Sequence, residues 1–134
     1  MGKKKSGIWI TGASSGIGKA AAAEFARVGS NVIVSARRVT ELERLKKELK
    51  KEELDIQIFP CNVASSANVD QTLKKITAEN NINCLINNAG TTSFKNAEDN
   101  STNEIDDVIH TNLLGSIYTI KYLLPHMIEH GEGT

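Results

Sequence analysis

The chain has 134 residues, with 16 Lys+Arg against 16 Asp+Glu, 40% hydrophobic and 4% aromatic residues, ten Gly, two Pro and two Cys. One globular domain of this size buries roughly two-thirds of its extended-chain surface, so a core forms without disulfides or metal. Zero formal net charge excludes the broad positive field that draws a protein to nucleic acid or an anionic membrane, so no nucleic-acid partner is expected.

No stretch approaches the roughly 20 apolar residues that span a bilayer, and the basic start Lys3-Lys4-Lys5 leads into an apolar run too short for a signal peptide. A cytoplasmic protein is the expectation. Met1-Gly2 followed by Ser6 fits an N-myristoylation pattern, which with the lysines makes a two-signal anchor; the pattern is short, and no membrane partner is expected from it. Cys61 and Cys84 have no metal spacing and read as reduced, buried cysteines on two strands. Asn100-Ser101-Thr102 is a glycosylation sequon that, without a secretory signal, reads as a loop entering a helix.

Gly7 to Ile10 is a short apolar run ending at Thr11-Gly12, as a buried parallel strand does. A glycine-rich turn follows, then an Ala-rich helix from Ile17 through Val28 with Gly29 as its C-cap. Asn31 to Ser35, rich in β-branched residues, is the second strand. Thr40 and Glu43 have capping-box spacing, and Leu42, Leu45 and Leu49 recur at helical spacing among charges, with Glu43 and Lys47 a pair four apart on a solvated face. Asp55 to Phe59 is the third strand, closed by Pro60. A helix starts at Ser65-Ser66 and carries Val69, Leu73 and Ile76; Cys84 to Ile86 is the fourth strand, left through the turn Asn87-Asn88-Ala89-Gly90. Ser101 and Glu104 form a second capping box ahead of a helix carrying Ile105, Val108, Ile109, Leu113, Ile117, Ile120 and Leu124, which Pro125 and Gly131 bring to an end.

Four strands alternating with helices predict a single α/β domain over residues 1–134, a doubly wound parallel sheet in the order 3-2-1-4 with helices on both faces. Strand four is then expected to lack a neighbour on its outer edge.

Thr11-Gly12-Ala13-Ser14-Ser15-Gly16-Ile17-Gly18 joins the first strand to the first helix. The first turn of a helix has unpaired N–H groups and the positive end of the peptide dipoles, a setting for a pyrophosphate. Glycines at 12, 16 and 18 allow a sharp turn, close approach of phosphate to backbone, and close packing of helix on strand. A P-loop is disfavoured: Ala13 stands where its first Gly belongs and Ala20 where its metal-binding hydroxyl belongs. The remaining alternative is a tight turn with no ligand.

The spacing Thr11-Gly12-x-x-x-Gly16-x-Gly18 differs from the ordinary Rossmann fingerprint and resembles that of the short-chain dehydrogenase/reductase family. Asn62-Val63, Asn87-Asn88-Ala89-Gly90 and Asn112 agree with that family in order and spacing. The likeness covers the whole chain but only about the first half of a typical member. It implies that Gly12, Gly16, Ile17 and Gly18 cradle a pyrophosphate, with Ser15 beside them. The family position matching Asn62 usually holds an Asp that binds the adenine amino group; Asn keeps an acceptor oxygen and loses the charge, implying weaker adenine binding. Val63 would pack on the adenine, and Asn87, Ala89 and Gly90 would line the ribose side, Asn87 also steadying the sheet. Ala36 replaces the Asp of the family's NAD users, and Arg37 and Arg38 follow it; Arg37 matches the NADP pattern, its guanidinium suited to a 2′-phosphate, so NADP is expected over NAD. Ser14 either adds a hydroxyl to that phosphate or caps the turn.

By the same likeness the chemistry is hydride transfer between nicotinamide and a carbinol or carbonyl carbon, with Tyr, Lys, Ser and Asn handling the proton and the substrate oxygen. Only the Asn, Asn112, has a counterpart; the alternative for it is a polar residue hydrogen-bonded in a bent helix. Neither Tyr118 nor Tyr122 has Lys four residues on, and Lys121, three after Tyr118, reads as surface packing. His110, His126 and His130 take no catalytic role, and no metal site is expected. The chain is therefore read as the NADP(H)-binding portion of a short-chain oxidoreductase, without turnover by itself, that acts on a carbonyl or alcohol in full-length form. The alternatives are a non-catalytic NADP-binding module and a truncated fragment that self-associates, a homo-oligomer formed through the last helix or the exposed strand edge.

Overall fold

The computed structural model describes residues 3–134, so the Met1-Gly2 part of the acylation pattern lies outside the described residues. Its strands are β1 (Lys5–Thr11), β2 (Asn31–Ser35), β3 (Gln57–Ile58) and β4 (Asn80–Ile86), and its helices are α1 (Gly16–Arg27), α2 (Val39–Lys50), α3 (Ser66–Glu79), α4 (Thr102–Ile109) and α5 (Gly115–His130), the last two joined by a π turn at His110–Leu114. The sheet runs β3-β2-β1-β4 with every pairing parallel, the order expected from the alternation of elements.

Side-chain alternation along the central strands divides the core in two. Ile10, Val32 and Val34 point to one face, where Ala22 and Ala26 of α1 and Leu42, Leu45 and Leu49 of α2 cover them. Trp9 and Ile33 point to the other, beneath Val69, Leu73 and Ile76 of α3 and Leu123 of α5. Trp9 is fully buried and donates its indole N–H to Ser35 Oγ at 2.8 Å, so its polar edge is satisfied inside the core.

At the amino-terminal edge of the sheet, three amides knit the strands together. Asn31 Nδ2 donates to Asn80 Oδ1 at 2.9 Å, and Gln57 Nε2 donates to Asn31 Oδ1 at 2.8 Å and Asn80 Oδ1 at 3.0 Å. These bonds link β2, β3 and β4 across β1, which presents Gly7 there; a Cβ on Gly7 would stand 3.1 Å from Asn31 Nδ2 and 2.7 Å from Ile33 Cδ1.

Several local expectations change. The backbone enters α2 at Val39, and Glu41 and Leu42 direct their N–H groups to Arg38 O. Thr40 already has helical backbone, and no side-chain cap forms with Glu43. Glu41 pairs with Arg44 at 3.1 Å on that surface, whereas Glu43 and Lys47 form no ion pair among the described residues. Strand three is an edge strand of two paired residues, though Phe59 N–H and Cys61 N–H continue the ladder to Val34 O and Ala36 O. Cys61 is accordingly buried just past β3, and Cys84 on β4 is only half-buried; burial pushes both thiols up from their ordinary range.

Pro125 does not end the last helix, which continues to Gly131 in the left-handed conformation (φ 69°). Pro125 and Lys121 both face solvent, so the carbonyl that loses its helical donor is open to water, while Leu123 anchors the opposite side. The Ser101–Glu104 capping box forms as expected. The outer edge of β4 is not bare: Thr134 N–H donates to Asn83 O at 2.9 Å and Leu85 N–H donates to Thr134 O at 2.8 Å, the pattern of a parallel neighbour opposite Cys84.

The π turn and α5 bury few residues, Thr111 on the turn and Gly115, Thr119 and Leu123 on the helix, and a Cβ on Gly115 would lie 2.7 Å from Val63 Cγ2; α4 buries none. The large apolar residues Ile105, Ile109, Leu113, Ile117, Ile120, Leu124 and Ile128 form an exposed stripe on the other side. No helix among the described residues is long and apolar enough to cross a membrane.

Candidate functional site

In an open parallel sheet, ligands sit beyond the carboxyl ends of the strands, at the point where strand order reverses. That point lies between β1 and β4, and the principal cleft, about 750 Å³, opens there. Its walls are the turn after β1 (Gly12, Ser14, Ser15, Gly16, Ile17), the end of β2 (Ala36, Arg37, Arg38), the residues after β3 (Cys61, Asn62, Val63) and those after β4 (Asn88, Ala89, Gly90).

The floor of the cleft is the mouth of α1. The first α-helical bond runs from Lys19 N–H to Ser15 O, which leaves the N–H groups of Gly16, Ile17 and Gly18 ahead of it without a helical acceptor. Ser15 stands at the N-cap, yet its hydroxyl does not cap the helix. Ser14 Oγ and Ser15 Oγ instead each accept a hydrogen bond from Arg38 Nη2 at 3.2 Å. Arg38 is thereby drawn over the turn, with Arg37 beside it, and no acidic residue lines the cleft to oppose them. The result is an anion-binding concavity of backbone dipoles and guanidinium groups.

Two glycines are required by packing. Gly12 has φ 66°, and a Cβ there would stand 2.6 Å from Ala89 Cα and 2.8 Å from Ala89 N. A Cβ on Gly18 would lie 2.6 Å from Gly12 O and would strike the Asn88 side chain. The turn after β1 and the turn after β4 therefore touch backbone to backbone.

Asn88 and Thr11 hold that contact. Asn88 Nδ2 donates to Thr11 O at 3.2 Å and Gly12 O at 3.0 Å, while Thr11 Oγ1 accepts from Asn88 N at 3.2 Å and Ala89 N at 3.1 Å. Both residues fall inside the quoted motifs without an assigned role, and the paired asparagines by themselves read as an ordinary turn signal.

Eleven of the thirteen residues expected to bind cofactor line this one cleft. Gly18 lies beneath the surface of the turn. Asn87 turns away from the cleft, its Oδ1 accepting the Thr119 hydroxyl at 2.7 Å and tying β4 to α5. Asn112 sits on the π turn, where Gly115 N–H reaches back five residues to His110 O. Its Oδ1 accepts Thr91 N–H at 2.7 Å and its Nδ2 donates to Thr91 O at 2.8 Å, so both side-chain polar atoms hold the loop that follows Gly90. His110 bonds only its own helix, to Asp106 O, and Tyr122 shares a hydrogen bond with Ser66. Among the described residues no group of three or more His, Cys, Asp or Glu is placed to hold a metal ion.

The fold and cleft define a dinucleotide-binding α/β domain of the doubly wound type. Comparison with known proteins narrows this: the short chain dehydrogenase family model matches residues 6–134, and the chain belongs to that family. Human dehydrogenase/reductase SDR family member 7 is 35% identical over 131 residues, which are 94% of this chain and 39% of that protein. Among solved structures, the alcohol dehydrogenase from the archaeon Thermococcus sibiricus, complexed with 5-hydroxy-NADP, superposes with a TM-score of 0.85 at 32% identity, covering 97% of this chain and 56% of that one. A metagenomic short-chain oxidoreductase in complex with NADP superposes with a TM-score of 0.87 at 26% identity over 96% of this chain and 59% of that one. The chain thus spans about two-fifths of the human relative and somewhat over half of these two solved chains.

Proposed function

We propose that this chain holds NADP(H) in the cleft above α1 and forms the coenzyme-binding part of an oxidoreductase that interconverts carbonyl and alcohol groups. The observation that carries the reading is the mouth of α1: three N–H groups without helical acceptors, glycines where a side chain would intrude, and Arg37 and Arg38 at the rim. Two of the similar solved structures are NADP or hydroxy-NADP complexes, which supports a nicotinamide dinucleotide as the occupant. When bound, the nicotinamide supplies or accepts the hydride.

The residues divide the work by position. Gly16 and Ile17, which line the cleft, present N–H groups to the diphosphate, with Gly18 packed beneath them. Arg37 and Arg38 meet the 2′-phosphate beyond the end of β2, with Ser14 and Ser15 holding Arg38 in place. Val63 and Asn62 lie further along, on the base side. On the other side, Asn112 fixes the loop after Gly90 and thereby the wall against which the nicotinamide half would rest. The sequence holds no Tyr-x-x-x-Lys, so the chain is proposed to bind coenzyme without turning substrate over.

Titration of the chain with NADPH, read by nicotinamide fluorescence, tests this. Saturable binding is expected, weakened at least about tenfold by Arg37→Asp with NADH affected far less, since a charge-assisted hydrogen bond contributes about 1.5–3 kcal/mol. Absence of saturable binding by a folded sample refutes the reading.

The exposed stripe on α4 and α5 favours one addition: self-association through that face. Sedimentation is expected to show a species larger than the monomer that Ile117→Glu converts to monomer.

A further inference from the structure

The base end of the cleft differs in hydrogen-bonding character from what an Asn in place of a carboxylate suggests. This inference rests on the NADP(H) reading, which orders the occupant along the cleft: diphosphate at the mouth of α1, 2′-phosphate at the arginines after β2, and base beyond them, against the residues after β3. Asn62 is the polar side chain exposed there.

Each of its acceptors already holds one local bond. Asn62 Oδ1 takes the N–H of Ala64 at 3.2 Å, and the main-chain carbonyl takes the N–H of Ser65 at 3.1 Å. The main-chain N–H donates to Asn68 Oδ1 at 2.7 Å. This local net forms the approach to α3, where Ser65 Oγ in turn caps the N–H of Asn68 at 3.2 Å. Oδ1 is held in that net with one lone pair left, while among the described residues no acceptor takes Nδ2, so the amide keeps a free donor for a base.

Purines differ at the atoms this donor meets. Adenine carries a 6-amino group, itself a donor, with an acceptor ring nitrogen beside it; a 6-oxopurine carries an acceptor oxygen at the 6-position. A carboxylate at residue 62 would accept from the amino group and repel the oxygen. An outward N–H₂ reverses the second preference.

We propose that Asn62 makes this cleft tolerant at the 6-position of the purine, so that the chain binds a hypoxanthine dinucleotide as well as the adenine one, with Asn62 Nδ2 donating to the 6-oxygen. The probes are NADPH and its deaminated counterpart, reduced nicotinamide hypoxanthine dinucleotide phosphate, titrated into the chain and into Asn62→Asp with nicotinamide fluorescence as readout. For the wild type the two dissociation constants are expected to agree within about threefold; Asn62→Asp is expected to favour the adenine form by about tenfold or more, the effect of a charge-assisted bond gained on one base and a repulsion gained on the other. Asp keeps the oxygen that caps Ala64 N–H, and far-UV circular dichroism checks its fold; should it fail to fold, the wild-type ratio decides alone. A wild type that prefers adenine tenfold or more overturns the inference while leaving the coenzyme reading intact. Binding of neither dinucleotide overturns both.

Discussion

Alanine substitution at two glycines of the same turn separates backbone conformation from packing. Gly12 (φ 66°) and Gly16 (φ 56°) both occupy the left-handed region, where a Cβ costs about 1–2 kcal/mol. At Gly16 the added carbon meets nothing within 4 Å, so that cost is the whole effect on stability. At Gly12 it would stand 2.6 Å from Ala89 Cα, and because every neighbour is main chain, the relief must come from parting two turns; overpacking of this kind adds about 1–3 kcal/mol. The sum for Gly12→Ala is about 2–5 kcal/mol, a large share of the roughly 5–15 kcal/mol that holds a typical domain together. Trp9 is the only tryptophan and is fully buried, so its fluorescence follows urea unfolding directly. With m near 1–3 kcal/mol/M, the Gly12→Ala midpoint is expected about 1 M below that of Gly16→Ala. If NADPH sits at the mouth of α1 as proposed, Gly16→Ala is expected to weaken its binding despite a stable fold, since Gly16 lines the cleft. Equal midpoints for the two variants would refute the contact argument.

Three further outcomes follow from the same structure. Asn88→Ala removes both bonds from its amide to Thr11 O and Gly12 O, and unfolding is expected to become about 1–3 kcal/mol easier, with NADPH binding weakened as the turns separate. Ser35→Ala deprives the buried Trp9 indole N–H of its acceptor and Phe59 O of its donor; a loss of about 1–3 kcal/mol and a shifted Trp9 emission are expected in the same urea series.

Burial, with His130 and Lys4 nearby, lowers His126 from its ordinary range, so the unfolded chain binds the proton more readily than the folded one. Its contribution is therefore fully present above about pH 6.5 and declines as pH falls from there toward the lowered folded value. His126→Gln is expected to flatten the stability profile between pH 7.5 and 5.5; an unchanged slope would show that His126 does not set it.

The strand order, the two helical layers and most of the cleft were legible because they rest on local signals: apolar runs, glycines at 12, 16 and 18, and caps such as Ser65 and Ser101–Glu104. Signals that depend on a partner elsewhere were not. Thr40 has capping chemistry, but the backbone enters α2 two residues too early for it to act. Nothing near Asn88 in sequence indicates that it clasps Gly12, seventy-six residues before it. Asn87 and Asn88 are adjacent and similar, yet the pleat sends one toward α5 and the other into the cleft wall. Along α4, the π turn and α5 the conspicuous large apolar residues are exposed, while the buried positions are Thr111, Gly115, Thr119 and Leu123, and the missing Cβ of Gly115 lets α5 approach Val63.

The amide cluster of Asn31, Gln57 and Asn80 bears on how the domain opens. With β2, β3 and β4 laced together over Gly7 at one end, strands are expected to part there late, and backbone amides near that end to exchange slowly. At the opposite rim the ties run between turns rather than between strands, Asn88 to Thr11 and Gly12, Arg38 to Ser14 and Ser15, Asn112 to Thr91, so the lips of the cleft are expected to exchange their amide hydrogens sooner than the laced end.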